Sequence, residues 1–127
     1  MTEPEWLETH EVLAIHKALL SLHGGAEGVR DERLLQSALA RPQQLFAYGN
    51  PPPDLCALAA AYAAGIIRNH SFVDGNKRTG FMLAYTFLRL NGLHLRADEG
   101  ETYAMVMALA SGNLPEAAFA QWLREWT

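Results

Sequence analysis

Apolar residues recur with a helical period along almost the whole chain. Val12, Leu13, Ile15, Leu19, Leu20 and Leu22 follow one another at spacings near 3.6 and predict a first helix over about His10–Leu22. Thr9 is its expected N-cap and Gly24-Gly25 its stop. A second, short helix is predicted from Asp31, a good N-cap, with Leu34, Leu35, Ala38 and Leu39 on its apolar side and Pro42 as its end. Pro42 to Pro53 then reads as a long connection. Its Leu45, Phe46 and Tyr48 predict that it lies against the body of the protein, and a connection of that length is often functional. Asp54 caps a third helix through Asn69, which is apolar on nearly every face and rich in alanine; such a helix is central. A short polar loop, His70 to Asn76, leads into a fourth helix over about Asn76–Leu90, closed by Asn91-Gly92.

Beyond it the pattern shortens. Leu93-His94-Leu95 alternates like a very short strand, with Trp6-Leu7 as its partner. Asp98 and Glu101 make a capping-box-like start to a fifth helix that runs to about Ala110, where Ser111-Gly112-Asn113 breaks it. Pro115 suits the first position of a last helix carrying Ala118, Phe119, Trp122, Leu123 and Trp126, most simply core residues. The expectation is all-α: one compact domain over residues 1–127, of about six helices and one very short strand pair.

Composition narrows the function classes. The 127 residues are 50% hydrophobic and 19% charged, as in ordinary soluble proteins. Ten basic and fourteen acidic residues give −4, which argues against a general binder of nucleic acid or acidic membranes. The charge is uneven: Gly65–Arg96 carries +4 and the rest −8. The single cysteine, Cys56, allows no internal disulfide and no cysteine zinc cluster, which fits a reducing compartment. The acidic start Met-Thr-Glu-Pro-Glu lacks the apolar stretch of a signal peptide. The longest apolar run, Leu55–Ile67, is thirteen residues, short of a bilayer span. A cytoplasmic protein is expected.

One segment differs from the rest: His70-Ser71-Phe72-Val73-Asp74-Gly75-Asn76-Lys77-Arg78-Thr79. A potential base, His70, precedes a hard-metal ligand, Asp74, by four residues. Gly75 and Asn76 then open a helix whose first turn holds Lys77 and Arg78. A helix N-terminus offers unpaired N–H groups to an anion. Cations at that end oppose the helix dipole unless an anion lies between. Asp74 beside a phosphate would recruit Mg²⁺. Gly75 permits close backbone approach, and the Asn76 amide is able to donate to a phosphate. Phe72, between polar neighbours, is expected to point inward and anchor the loop. These residues together suit a di- or triphosphate and a metal facing a histidine that takes a proton. Separately, each has an ordinary structural reading, and His10, His16, His23 and His94 are left with it.

The segment resembles the signature of the Fic/Doc family: His, any, Phe, any, Asp or Glu, Gly, Asn, Gly or Lys, Arg. Seven fixed positions at roughly one in twenty each make a chance match on the order of one in 10⁹ per start site. The Lys-Arg-Thr ending is similar to the Doc, death-on-curing, toxin branch. So are Leu13-Ala14-Ile15-His16, Gly28-Val29-Arg30-Asp31, Leu39-Ala40-Arg41-Pro42 and Phe87-Leu88-Arg89-Leu90-Asn91-Gly92. The resemblance implies that His70 is the general base on a target hydroxyl and that Asp74 holds Mg²⁺. It implies that Gly75, Asn76, Lys77 and Arg78 cradle the phosphates of ATP, with Arg68 as added charge. Pro42–Pro53 stands roughly where the family has its substrate-aligning flap.

Two departures bear on the reaction. AMP-transferring members typically have glycine where this chain has Lys77, and a second arginine where it has Phe81. A lysine fills the space a glycine leaves, so the nucleotide is expected in another orientation, which in the Doc branch goes with transfer of the γ-phosphate. The resemblance thus implies a toxin kinase acting on a threonine of elongation factor Tu and blocking translation. The alternatives are AMP transfer to a protein hydroxyl and an interaction module without chemistry. The family's inhibitory motif, Ser or Thr, three residues, Glu, then Gly or Asn, is missing. Leu95 precedes Glu99-Gly100 and His23 precedes Glu27-Gly28 at the needed spacing. Restraint is therefore expected from a separate, Phd-like antitoxin.

Overall fold

In a computed structural model that describes residues 2–127, the chain forms α1 (Thr9–His23), α2 (Glu32–Tyr48), α3 (Leu55–Asn69), α4 (Asn76–Leu90), α5 (Glu99–Ser111) and α6 (Glu116–Glu125). The all-α expectation holds. Helix α3 is the axis. Leu58 through Ile66 have essentially no exposed surface, because α2, α4 and α6 pack around it and α5 touches it more lightly. Helix α1 lies on α4. One hydrophobic cluster runs through residues of all six helices.

Small residues set the spacing. A side chain on Gly65 would meet Ala38 of α2 at 3.3 Å. One on Gly80 would stand 2.9 Å from Ile67 and 3.0 Å from the Ala63 carbonyl. Helix α3 can therefore approach α2 closely at Gly65 and α4 closely at Gly80.

Three sequence expectations are corrected. Pro42 does not end the second helix, which continues to Tyr48 with Pro42 buried inside it. A proline in a helix interior withholds one N–H from the carbonyl four residues back. Here that carbonyl belongs to Ala38, which faces Gly65 of α3. Packing outweighs the break: Phe46, beyond the proline, sits edge-on against Trp6 with ring centroids 5.8 Å apart. The connection is therefore Gly49–Asp54, and the residues expected to form a flap are largely helical.

The strand pair is also absent among the described residues. The Leu7 N–H donates to the Tyr62 hydroxyl, and Trp6 stacks on Phe87, so this segment is held by side chains. The Arg96 N–H donates to the Trp126 carbonyl, which ties the segment after α4 to the end of α6. The isolated bridge that does form joins Val29 to Phe72, and it belongs to the site described next. Finally, Glu8 caps α1 in place of Thr9, with the Glu8 N–H donating to Glu11 Oε1 at 2.9 Å.

Candidate active site

The loop between α3 and α4 is built by its own residues and by the α1–α2 connection. Phe72 is buried, 1% exposed, and stacks on the His16 ring with centroids 3.8 Å apart. The Phe72 N–H donates to Asn76 Oδ1 and the Asn76 amide donates back to the Phe72 carbonyl, each at 2.9 Å. Asn76 is thus a staple across the loop, and one amide hydrogen remains for other use. The α1–α2 connection pairs alongside: the Val73 N–H donates to the Gly28 carbonyl, and the Arg30 N–H to the Ser71 carbonyl.

His70 caps α3 in the left-handed region, with φ +47°. Its ring is exposed and has no hydrogen-bond partner among the described residues. Its carbonyl accepts from Arg30 Nε at 2.6 Å, and the Asn69 carbonyl accepts from Arg30 Nη2 at 2.8 Å.

Asp74 is exposed, and its carboxylate accepts from the Ala26 N–H at 3.2 Å and the Gly75 N–H at 2.8 Å. These two bonds, with a smaller pull from Arg78, hold its pKa below the ordinary carboxylate value, so it stays ionised. Behind it, His16 Nε2 lies 2.9 Å from the Asp74 carbonyl. A carbonyl has no proton to give, so the ring donates. Two glycines make the geometry possible. Gly25 has φ +127°, and a side chain there would stand 2.8 Å from Asp74 Oδ2. Gly75 has φ +78° and turns the chain into α4.

No side chain caps α4. Its first turn presents the N–H groups of Asn76, Lys77 and Arg78, and both cationic side chains are exposed. This is an anion site in form: an uncapped helix end, two cations and a carboxylate at the rim. No three metal-ligating side chains converge among the described residues. A single carboxylate fits Mg²⁺ that arrives with substrate phosphates, since such ions keep waters and phosphate oxygens as their other ligands.

The structure brings His70, Phe72, Asp74, Gly75, Asn76, Lys77 and Arg78 into one loop and helix start. It ties Arg68 elsewhere, to Glu116 of α6 at 3.3 Å, a carboxylate that also takes a two-pronged contact from Arg41. Phe81 is half-buried and lines a small cleft with Met82, Tyr85, Leu95 and Ala97. A larger cleft of about 710 Å³ lies between the N-terminal segment, α1 and α2, and none of the signature residues lines it. Arg30, Gly25 and the loop-side role of His16 were not singled out by the sequence. Each sits 39 or more positions from its partner, and no periodicity links them.

Comparison with known proteins gives a consistent result. The model of the Fic/DOC family matches residues 6–88. Toxin Doc of Mycolicibacterium smegmatis (strain ATCC 700084 / mc(2)155) is 43% identical over 94 residues, which cover 74% of this chain and 70% of that protein. Protein kinase doc of Escherichia phage P1 is 32% identical over 118 residues, covering 93% of this chain and 92% of that one.

Proposed function

The chain belongs to the Fic/DOC family, and from that premise we propose that it is the toxin of a toxin–antitoxin pair and acts as a protein kinase. It moves the γ-phosphate of ATP to a hydroxyl of a protein target, a threonine of elongation factor Tu, and so blocks translation. The observation that carries the reading is Lys77 on the first turn of an uncapped helix, where AMP-transferring relatives have glycine. The names of the two relatives, a toxin and a protein kinase, support it.

In this reading each residue has a role that the geometry supports. His70 presents a free ring that accepts the proton of the target hydroxyl as its oxygen bonds to the γ-phosphorus. The bond from that phosphorus to the bridging oxygen breaks, and ADP leaves. The N–H groups of Asn76, Lys77 and Arg78 meet the phosphate oxygens, and the two cationic side chains balance their charge. Mg²⁺, when bound, shields the phosphates, and Asp74 is the carboxylate that holds it. Phe81 puts an apolar ring where AMP-transferring members have a second arginine, which disfavours AMP transfer. A separate Phd-like antitoxin restrains the site in this reading.

The test is incubation with elongation factor Tu and ATP labelled at the γ or the α phosphate, with Mg²⁺ present. Label from the γ position alone is expected, and His70→Ala should abolish it. Label from the α position alone would replace the kinase by an AMP transferase. Growth arrest that survives His70→Ala would replace both by an interaction module.

A further inference from the structure

We propose that Arg30 is a positioning residue for His70, acting through the loop backbone and touching no reactant. Three consecutive carbonyls at the end of α3 are held by this one residue. Asn69 O and His70 O accept from the two prongs of its guanidinium at 2.8 and 2.6 Å, and Ser71 O accepts from its backbone N–H at 2.8 Å. Carbonyls of a last helical turn lack helical partners and carry the negative end of the dipole, so a guanidinium there satisfies both needs. The planar fork suits two adjacent carbonyls, which a lysine ammonium does not match.

The consequence falls on His70. It is the only non-glycine residue at positive φ among those described, a conformation uncommon in L residues. Its ring makes no hydrogen bond of its own among the described residues, so the backbone alone sets the origin and the Cα–Cβ direction from which the imidazole swings. The backbone is pinned by Arg30 and by the Asn69 side chain, which donates to the Leu34 carbonyl at 2.9 Å. The phosphate side of the loop has separate supports: His16 on the Asp74 carbonyl, and Asn76 across to Phe72. Loss of the fork should therefore mis-aim the base and leave the cradle in place.

The role of His70 as base rests on the kinase reading; the contacts do not. The experiment compares the full chain with Arg30→Lys and Arg30→Ala. Carbonyl and imidazole NMR signals of Asn69, His70 and Ser71 report the loop, and the Trp122 indole N–H, buried at the far helices, reports the fold. Transfer of γ-label to elongation factor Tu gives kcat and KM for ATP. Arg30→Ala should move the His70 signals and leave that of Trp122 in place. It should lower kcat about tenfold or more with KM within about twofold, and Arg30→Lys should recover part of the loss. Unmoved His70 signals, or an unchanged kcat, overturn the proposal. So does a parallel loss of kcat, ATP affinity and the Trp122 signal in the lysine variant, which means general destabilisation. If the parent chain transfers no label, the kinase reading fails, and the NMR comparison alone decides the clamp. If Arg30→Ala does not fold, Arg30→Lys carries both readouts.

Discussion

Gly25 has no side chain where one would collide with the Asp74 carboxylate at 2.8 Å, and its φ of +127° suits no L residue well. Gly25→Ala should therefore push the carboxylate off the Ala26 N–H that orients it. Support of this kind around a ligand is typically worth 10- to 100-fold in metal affinity. The Mg²⁺ concentration for half-maximal label transfer should rise about tenfold, and stability should fall by about 1–3 kcal/mol in urea unfolding. A variant with unchanged Mg²⁺ dependence would remove Gly25 from the site. The contrast between Gly25 and Asp74 also shows what a sequence discloses at this scale. His70 to Arg78 is contiguous, so its chemistry stands in one readable string. The residues that hold it in shape, Gly25, Arg30 and His16, come from the α1–α2 connection and α1, and only folding places them there.

At the scale of elements, the aspartate caps were legible, whereas the cap of α1 and the end of α2 were not. Asp31, Asp54 and Asp98 each accept from backbone N–H groups in the first turn of their helices, as short acidic side chains do. Pro42 misled because the local cost of a buried proline is outweighed by contacts that local pattern does not record. Asp54 makes a measurable case. Its carboxylate accepts from the Ala57 N–H and from both prongs of Arg124 at 2.6 and 3.0 Å. The Arg124 bonds, the largest influence, lower its pKa below the usual 3.8. A depressed pKa in the folded state means a contribution fully present above the unfolded value and lost as pH falls through the folded one. The pair is half-exposed, so Asp54→Asn, which keeps the cap, should cost only about 0.5 kcal/mol at pH 7. Asp54→Ala, which loses the cap too, should cost about 1–2 kcal/mol. Both differences should shrink as pH falls well below about 4, where the parent carboxylate is protonated. Urea titrations at pH 7 and in acid measure this, and a gap that widens in acid would reverse the sign of the argument.

For the whole molecule, the +4 stretch from Gly65 to Arg96 contains the candidate cradle, yet charge alone did not locate it. Arg68 belongs to an ion-pair cluster that fastens α2 and α3 to α6 through Glu116. Helix α6 is part of the core by the burial of its apolar side chains, although the family match stops at residue 88. Phe119 and Leu123 are fully buried and Trp122 is 4% exposed, packed against α3 and its neighbours. The Trp122 indole N–H donates to Glu101 at 2.7 Å, and Arg124 reaches back to Asp54 at the start of α3. Three such apolar side chains bring about 1.5–3 kcal/mol each by leaving water, which together approaches the entire stability of a small domain, about 5–15 kcal/mol. A chain ended at Asn113 should therefore lose its fold and its site together, although every signature residue is still present. Circular dichroism should show reduced helix and no cooperative melting transition for it. A shortened chain that melts cooperatively with native-like helix content would mean that residues 2–113 close a core without α6, and the burial argument would fail.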